Sequence, residues 1–140
     1  MDLSVIITTY NSPEWLEKVL TGYDMQSFKG FEVIIADDGS GDDTKKLVDA
    51  CKKRLSYPIS HVWHPDEGFR KCTILNKAIL ASATDYLVFT DGDCIPRMDF
   101  LEAHMQNRAK GYFLSGGYYM LPMDISNLIQ EEDIRSGRCF

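Results

Sequence analysis

Apolar and polar positions alternate along this chain between two rhythms. Short runs dominated by apolar, β-branched and aromatic residues occur at Leu3–Thr9, 31–36, Ile59–Trp63 and 86–90. Each is too short for a helix and reads as a buried strand. Between them the apolar positions return every three or four residues. Leu16, Val19, Leu20 and Tyr23 share one helical face after Pro13, with Ser12 as the expected N-cap. Leu47, Val48, Cys51 and Leu55 do the same over 41–55, where Asp42 and Asp43 suit the first turn. A helix over 68–81 is expected to turn Cys72, Leu75, Ile79 and Ala78 inward. Another opens at Pro96 and carries Phe100, Leu101 and Met105. Residues 111–120 read as a strand broken or bulged at Gly116-Gly117, and 124–134 as a last short helix.

Four strand–helix alternations predict an α/β protein, a mostly parallel sheet sandwiched by helices. Fully apolar strands belong in parallel sheets, where both faces are covered. In such sheets ligands gather beyond the carboxyl ends of the strands. Three of those ends are polar here: Thr8-Thr9-Tyr10-Asn11, Asp37-Asp38-Gly39-Ser40 and Asp91-Gly92-Asp93. Parallel strands bring all three to one edge, so they are expected to share one crevice. Two carboxylates held close repel unless a cation joins them. Oxygen ligands at such a place suit Mg²⁺ or Mn²⁺ shared with a phosphate. Taken singly, each piece also has a plain structural role as a helix cap, a backbone partner or a solvated loop acid.

Composition narrows the function classes. The chain has 140 residues, 44% of them hydrophobic, which suits one globular domain. No apolar run is long enough to span a bilayer, and the acidic start offers no signal peptide. A net charge of −6 argues against a nucleic-acid partner. The four scattered cysteines form no Cys-X-X-Cys pair and suit reduced thiols in the cytoplasm. His61 and His64, three apart on a strand, point to opposite faces and make a poor zinc pair. His104 reads as a surface or packing residue.

The ordered motifs resemble those of family 2 glycosyltransferases with the GT-A fold. The matching pieces are residues 5–11, residues 31–40, Gly68-Phe69-Arg70-Lys71, Leu75-Asn76-Lys77-Ala78-Ile79 and Asp91-Gly92-Asp93. The likeness runs from about residue 3 to about residue 120. It is strongest toward bacterial transferases of the chondroitin-polymerase and galactosyltransferase-like branch. It implies a Rossmann-like half that binds a UDP-sugar donor for transfer to a glycan or other hydroxyl acceptor in polysaccharide biosynthesis. It further implies that Thr8 and Tyr10 hold the uracil base, Tyr10 by stacking, and that Asp38 accepts the uracil N3–H. Arg70 would lie along the nucleotide, with Asn76 as an additional contact. Asp91 would contact the ribose or donor sugar, and Asp93 would hold Mn²⁺ or Mg²⁺ on the diphosphate. Many relatives carry arginine where this chain has Leu75.

The resemblance also implies an inverting displacement, which needs a general base on the far side of the anomeric carbon. Relatives place that base in a later acidic motif after a tryptophan and glycines. The tryptophans here are Trp15 and Trp63, and the late acids Glu131, Glu132 and Asp133 read as a solvated helix face. The 140 residues are thus expected to be a single donor-binding domain, cut before the acceptor-binding half and lacking the base. A longer protein of this kind is expected in the cytoplasm or against the inner face of the membrane. Apolar surface left uncovered over 111–129 suggests a homo-oligomer. Two other readings stand beside this one. The pocket could serve a non-catalytic nucleotide-sugar module. Alternatively Asp91 and Asp93 could be nucleophile and acid of a haloacid-dehalogenase-type phosphatase, although that motif normally comes early in a chain.

Overall fold

The computed structural model describes residues 1–140. Four strands form one sheet: β1 (Leu3–Thr9), β2 (Phe31–Asp37), β3 (Ile59–Trp63) and β4 (Leu87–Asp91). Their order is β3-β2-β1-β4, and every neighbouring pair is parallel. The chain therefore starts in the middle, steps outward through β2 to β3, and returns to the other side of β1. That return creates a switch point between β1 and β4, where the connections leave in opposite directions.

Side-chain alternation divides the core between the two faces of the sheet. Leu3, Val5 and Ile7 of β1 and Phe31, Val33 and Ile35 of β2 point to one face. There they meet α1 (Pro13–Asp24) and α2 (Asp42–Arg54) through Leu16, Val19, Leu20, Tyr23, Val48 and Cys51. Ile6, Ile34 and Ala36 point to the other face and meet Ile74 and Ala78 of α3 (Lys71–Ala81). Burying one such side chain contributes about 1.5–3 kcal/mol, and the inner strands β1 and β2 are buried on both faces.

Several expectations need correction. Helix α3 starts at Lys71 rather than at residue 68, and its buried stripe is Ile74 and Ala78. Cys72 and Ile79 are exposed, and Leu75 lies at the edge of the stripe. One helix alone covers this side of the sheet, so only a narrow stripe of it is buried. Ser12 occupies the N-cap of α1 but does not cap with its side chain. Its hydroxyl donates instead to the Tyr10 carbonyl at 3.1 Å.

Residues 111–120 form no strand. A strand needs a partner for its backbone, and this stretch pairs with none; Tyr112, Phe113 and Tyr119 are each more than 80% exposed. Gly116 and Gly117 have open space around them rather than a crowded bulge. Helix α4 (Phe100–Asn107) follows β4 and buries Leu101. The expected last helix is two, α5 (Met123–Leu128) and α6 (Glu131–Arg135). Two of the three late acids serve the fold. Glu131 accepts from Arg54 at 3.1 Å and Arg135 at 2.8 Å, and Asp133 closes a capping box with Gln130.

Candidate functional site: a two-ended cleft at the strand tips

The switch point aligns Thr8 of β1 directly with Asp91 of β4. The Thr8 hydroxyl donates to Asp91 Oδ1 at 2.8 Å, and the Lys71 ammonium donates to the same oxygen at 2.7 Å. Those two donors, Lys71 first, hold the Asp91 carboxyl below the ordinary carboxylate range. Gly92 follows because nothing larger fits: a Cβ there would lie 2.7 Å from the Thr8 carbonyl oxygen. Asp93 is exposed, and its one side-chain neighbour is the Cys94 thiol at 3.6 Å. Burial first, then the Asp93 charge, pushes that thiol up.

The other end of the cleft is built from the tip of β2. Asp37 turns to one side, where Oδ1 accepts from the Ser40 amide at 2.8 Å and Oδ2 pairs with His61 Nε2 at 2.8 Å. Burial works to raise the Asp37 carboxyl, but the bonds from His61 and Ser40 outweigh it and hold it low. Asp38 is 7% exposed. Its Oδ1 pairs with His64 Nε2 at 2.6 Å, and its Oδ2 accepts from the Arg70 amide at 2.9 Å. Gly39, at φ +97°, lets the loop pack: a Cβ there would strike the Asp66 backbone at 2.6 Å. Asp66 is thereby placed to receive the Tyr10 hydroxyl at 2.8 Å and the Gly68 amide at 3.0 Å. The bond to Asp66 raises the Tyr10 phenol above its ordinary value, while half of the residue stays exposed.

Thr8, Tyr10, Asp38, Asp91 and Asp93, expected to converge, do line one cleft of about 560 Å³. Trp15, Asp66, Phe69 and Lys71 line it as well. Arg70 reaches it only through its backbone bond to Asp38, and its guanidinium is paired with Glu67. Asn76 is exposed on α3 and is not part of the lining. The Thr9 hydroxyl, in the cleft wall, is buried without a partner. A larger hollow of about 730 Å³ opens at the opposite, amino-terminal end of the sheet, beside Met1, Thr84 and Tyr86. It contains none of the strand-tip acids.

Trp15, Asp66, Phe69, Lys71 and His64 carry no site role in the sequence reading. Lys71 stood inside a recognised motif, but its direction depends on where α3 begins. His64 becomes visible only with the register: β2 and β3 pair Asp37 with Trp63, so the next residues along, Asp38 and His64, are neighbours. The two histidines do take separate partners, and no group of three metal-ligating side chains gathers anywhere in the chain.

The profile of the family described as "Glycosyl transferase family 2" matches residues 4–122. The chain belongs to that family. Among its relatives, a GalNAc(5)-diNAcBac-PP-undecaprenol beta-1,3-glucosyltransferase of Campylobacter jejuni is 31% identical over 113 residues. That match covers 79% of this chain and 35% of the relative. Chondroitin synthase of Escherichia coli is 29% identical over 105 residues, covering 74% of this chain and 15% of the relative. The chain thus spans about a third or less of these two relatives. S. aureus TarS has the same fold, with a TM-score of 0.65 and 28% identity over 76% of this chain and 19% of TarS. A TarS 1–349 structure in complex with UDP aligns with a TM-score of 0.63 and 27% identity, covering 76% of this chain and 31% of that one.

Membership of this transferase family, with the GT-A architecture, leaves the phosphatase reading without support. No helix is long and apolar enough to cross a membrane. The donor set at the exposed end suits a divalent cation of the Mg²⁺ or Mn²⁺ kind. Asp93 offers an exposed carboxylate, and Asp91 is already tied to Lys71 and Thr8. One or two carboxylates with the remaining ligands from water and phosphate is how such ions are commonly held.

Proposed function

We propose that this family 2 glycosyltransferase domain binds a UDP-sugar in the strand-tip cleft and presents it for inverting transfer to a hydroxyl acceptor, a glycan being the expected kind. The observation that carries the proposal is the pairing of opposite ends in one cleft. A buried, oriented acid stands at one end, and an exposed acid pair stands at the switch point.

Each residue then has a role. Asp38 accepts the N3–H of uracil; a carboxylate is acceptor-only, so cytosine's bare N3 is refused. Tyr10, anchored at its hydroxyl by Asp66, stacks on the base, and Thr8 supports it while orienting Asp91. Asp91 receives a ribose or sugar hydroxyl. Arg70 holds the Asp38 carboxylate through its amide, and its guanidinium follows the nucleotide on leaving Glu67. Asn76 is an outlying contact. Asp93 would hold Mn²⁺ or Mg²⁺, and the ion would offset the negative charge that develops on the departing β-phosphate oxygen.

The bond from the anomeric carbon to that oxygen breaks as the acceptor oxygen attacks from the far side. The acceptor proton passes to a base. Three acids of the cleft are already engaged, Asp38 and Asp66 in hydrogen bonds and Asp91 with Lys71, and Asp93 is the one this proposal assigns to the ion. This supports the reading that residues 1–140 are the donor-binding portion and that the base is none of these acids. A nucleotide-sugar-binding module without transfer is the second reading, favoured by the same observation.

Calorimetry of UDP, CDP and GDP, each with and without Mn²⁺, tests the binding proposal. UDP is expected to bind best and to tighten with the ion. Equal binding of all three nucleotides, or none, would contradict it. Hydrolysis or transfer of a UDP-sugar by the same chain separates the two readings; slow turnover despite tight binding is expected.

A further inference from the structure

We propose that His64 is a positioning residue for base selection. It orients the Asp38 carboxylate so that a pyrimidine presenting an N–H is accepted and one presenting a bare ring nitrogen is not. This rests on the reading of Asp38 as the acceptor of the uracil N3–H.

Burial and two contacts carry the argument. His64 is 4% exposed and sits at the tip of β3, next to Asp38 at the tip of β2. Its Nε2 lies 2.6 Å from Asp38 Oδ1. Its Nδ1 lies 3.4 Å from the ammonium of Lys77, one turn along α3 from Thr73. A lysine ammonium donates and cannot accept. The Nδ1 facing it is therefore the acceptor, and the ring proton resides on Nε2 and is donated to Asp38. Lys77 thus fixes the tautomer, and the tautomer fixes the carboxylate.

The consequence is geometric. Asp38 receives one protein donor on each oxygen, His64 on Oδ1 and the Arg70 amide on Oδ2. Held at both oxygens, the carboxylate plane is restrained from turning. Each oxygen keeps a further lone pair for a ligand. Without His64, Oδ1 loses its partner and the carboxylate is free to turn about its one remaining bond. Orientation is what makes an acceptor selective, since a mobile carboxylate meets both pyrimidines through other polar edges or through water.

The test compares two amides at position 64. A glutamine places its amide nitrogen near the former Nε2, whereas the shorter asparagine places its own near the former Nδ1, out of reach of Asp38. Both are polar and no larger than histidine. UDP and CDP are titrated calorimetrically, with Mn²⁺, into the wild type, H64Q and H64N, and melting temperatures are recorded for all three. H64Q is expected to keep UDP affinity within about threefold. H64N is expected to lose about tenfold for UDP and much less for CDP, so that the UDP-to-CDP ratio narrows, in keeping with the loss of one charge-assisted hydrogen bond.

Equal behaviour of H64Q and H64N overturns the proposal. So does a fall in UDP and CDP affinity by the same factor, which is the mark of a purely structural role. Should H64N fail to fold, K77M decides: Lys77 is exposed on α3, and its loss is expected to narrow the ratio about twofold, whereas an unchanged ratio overturns the proposal. Failure of the wild type to bind UDP at all is a different result, because it removes the reading of Asp38 on which this inference stands.

Discussion

The two ends of the cleft are built to opposite specifications. At the β2 end, Asp38 is buried and both of its oxygens have protein donors. At the β4 end, the Asp91 side chain is 57% exposed and Asp93 is exposed beside it. A buried acid with two fixed donors has one geometry and can discriminate between ligands. An exposed acid pair can exchange water, a hydroxyl or an ion without unpacking a core. Under the proposed function, one sheet edge divides its labour: selection where β2 is covered by the loop at Asp66, and exchange where β1 and β4 part.

This contrast can be broken at its rigid end first. D38N preserves shape but exchanges an anionic acceptor for an amide. Losing a hydrogen bond to a charged group costs about 1.5–3 kcal/mol, so UDP affinity is expected to fall roughly ten- to a hundredfold in calorimetry. An unchanged affinity would remove Asp38 from the site.

At the exchange end, D93N is expected to abolish most of the tightening that Mn²⁺ brings to UDP, about tenfold. UMP, which lacks the second phosphate, is expected to bind the variant and the wild type alike. A variant that still responds to Mn²⁺ would show that the ion is held elsewhere.

K71M probes the same end more gently, because a pair this exposed contributes at most about 1 kcal/mol. UDP affinity is expected to change by less than about fivefold. NMR titration is expected to show the Asp91 carboxyl moving back up toward the ordinary range. No movement would mean that Lys71 does not hold Asp91.

The smallest effect concerns stability. The Asp37 carboxyl is depressed in the folded chain by His61 and Ser40 against the opposing effect of burial. A depressed carboxyl contributes stability that is complete above its unfolded value of about 3.9 and is lost as pH falls through the folded value. Urea unfolding is therefore expected to show stability falling with acid below that value, with a shallower slope in D37N. Parallel slopes would sink the assignment.

How far the molecule can be read from its sequence follows the same divide between buried and exposed. Strands β1 and β2 are plain because burial on both faces leaves runs that are mostly apolar, interrupted by Ser4 and Glu32. The acids at their tips were plain because parallel strands end together. Residues 111–120 differ from expectation because an aromatic-rich stretch is a strand only when a neighbour supplies hydrogen bonds, and Tyr112, Phe113 and Tyr119 stand in the open instead. The face of α3 was misjudged because four apolar side chains compete for a stripe that one covering helix makes narrow. His64 and Lys71 were passed over because their roles depend on strand register and on the first residue of a helix. A motif records neither.

The central claim is that the two ends act as one site. Amide NMR of the chain titrated with UDP in the presence of Mg²⁺ tests it most directly. The signals of Tyr10 and Asp38 at one end, and of Lys71 and Asp93 at the other, are predicted to shift together along a single saturation curve. Shifts confined to one end, or two ends that saturate at different nucleotide concentrations, would contradict it.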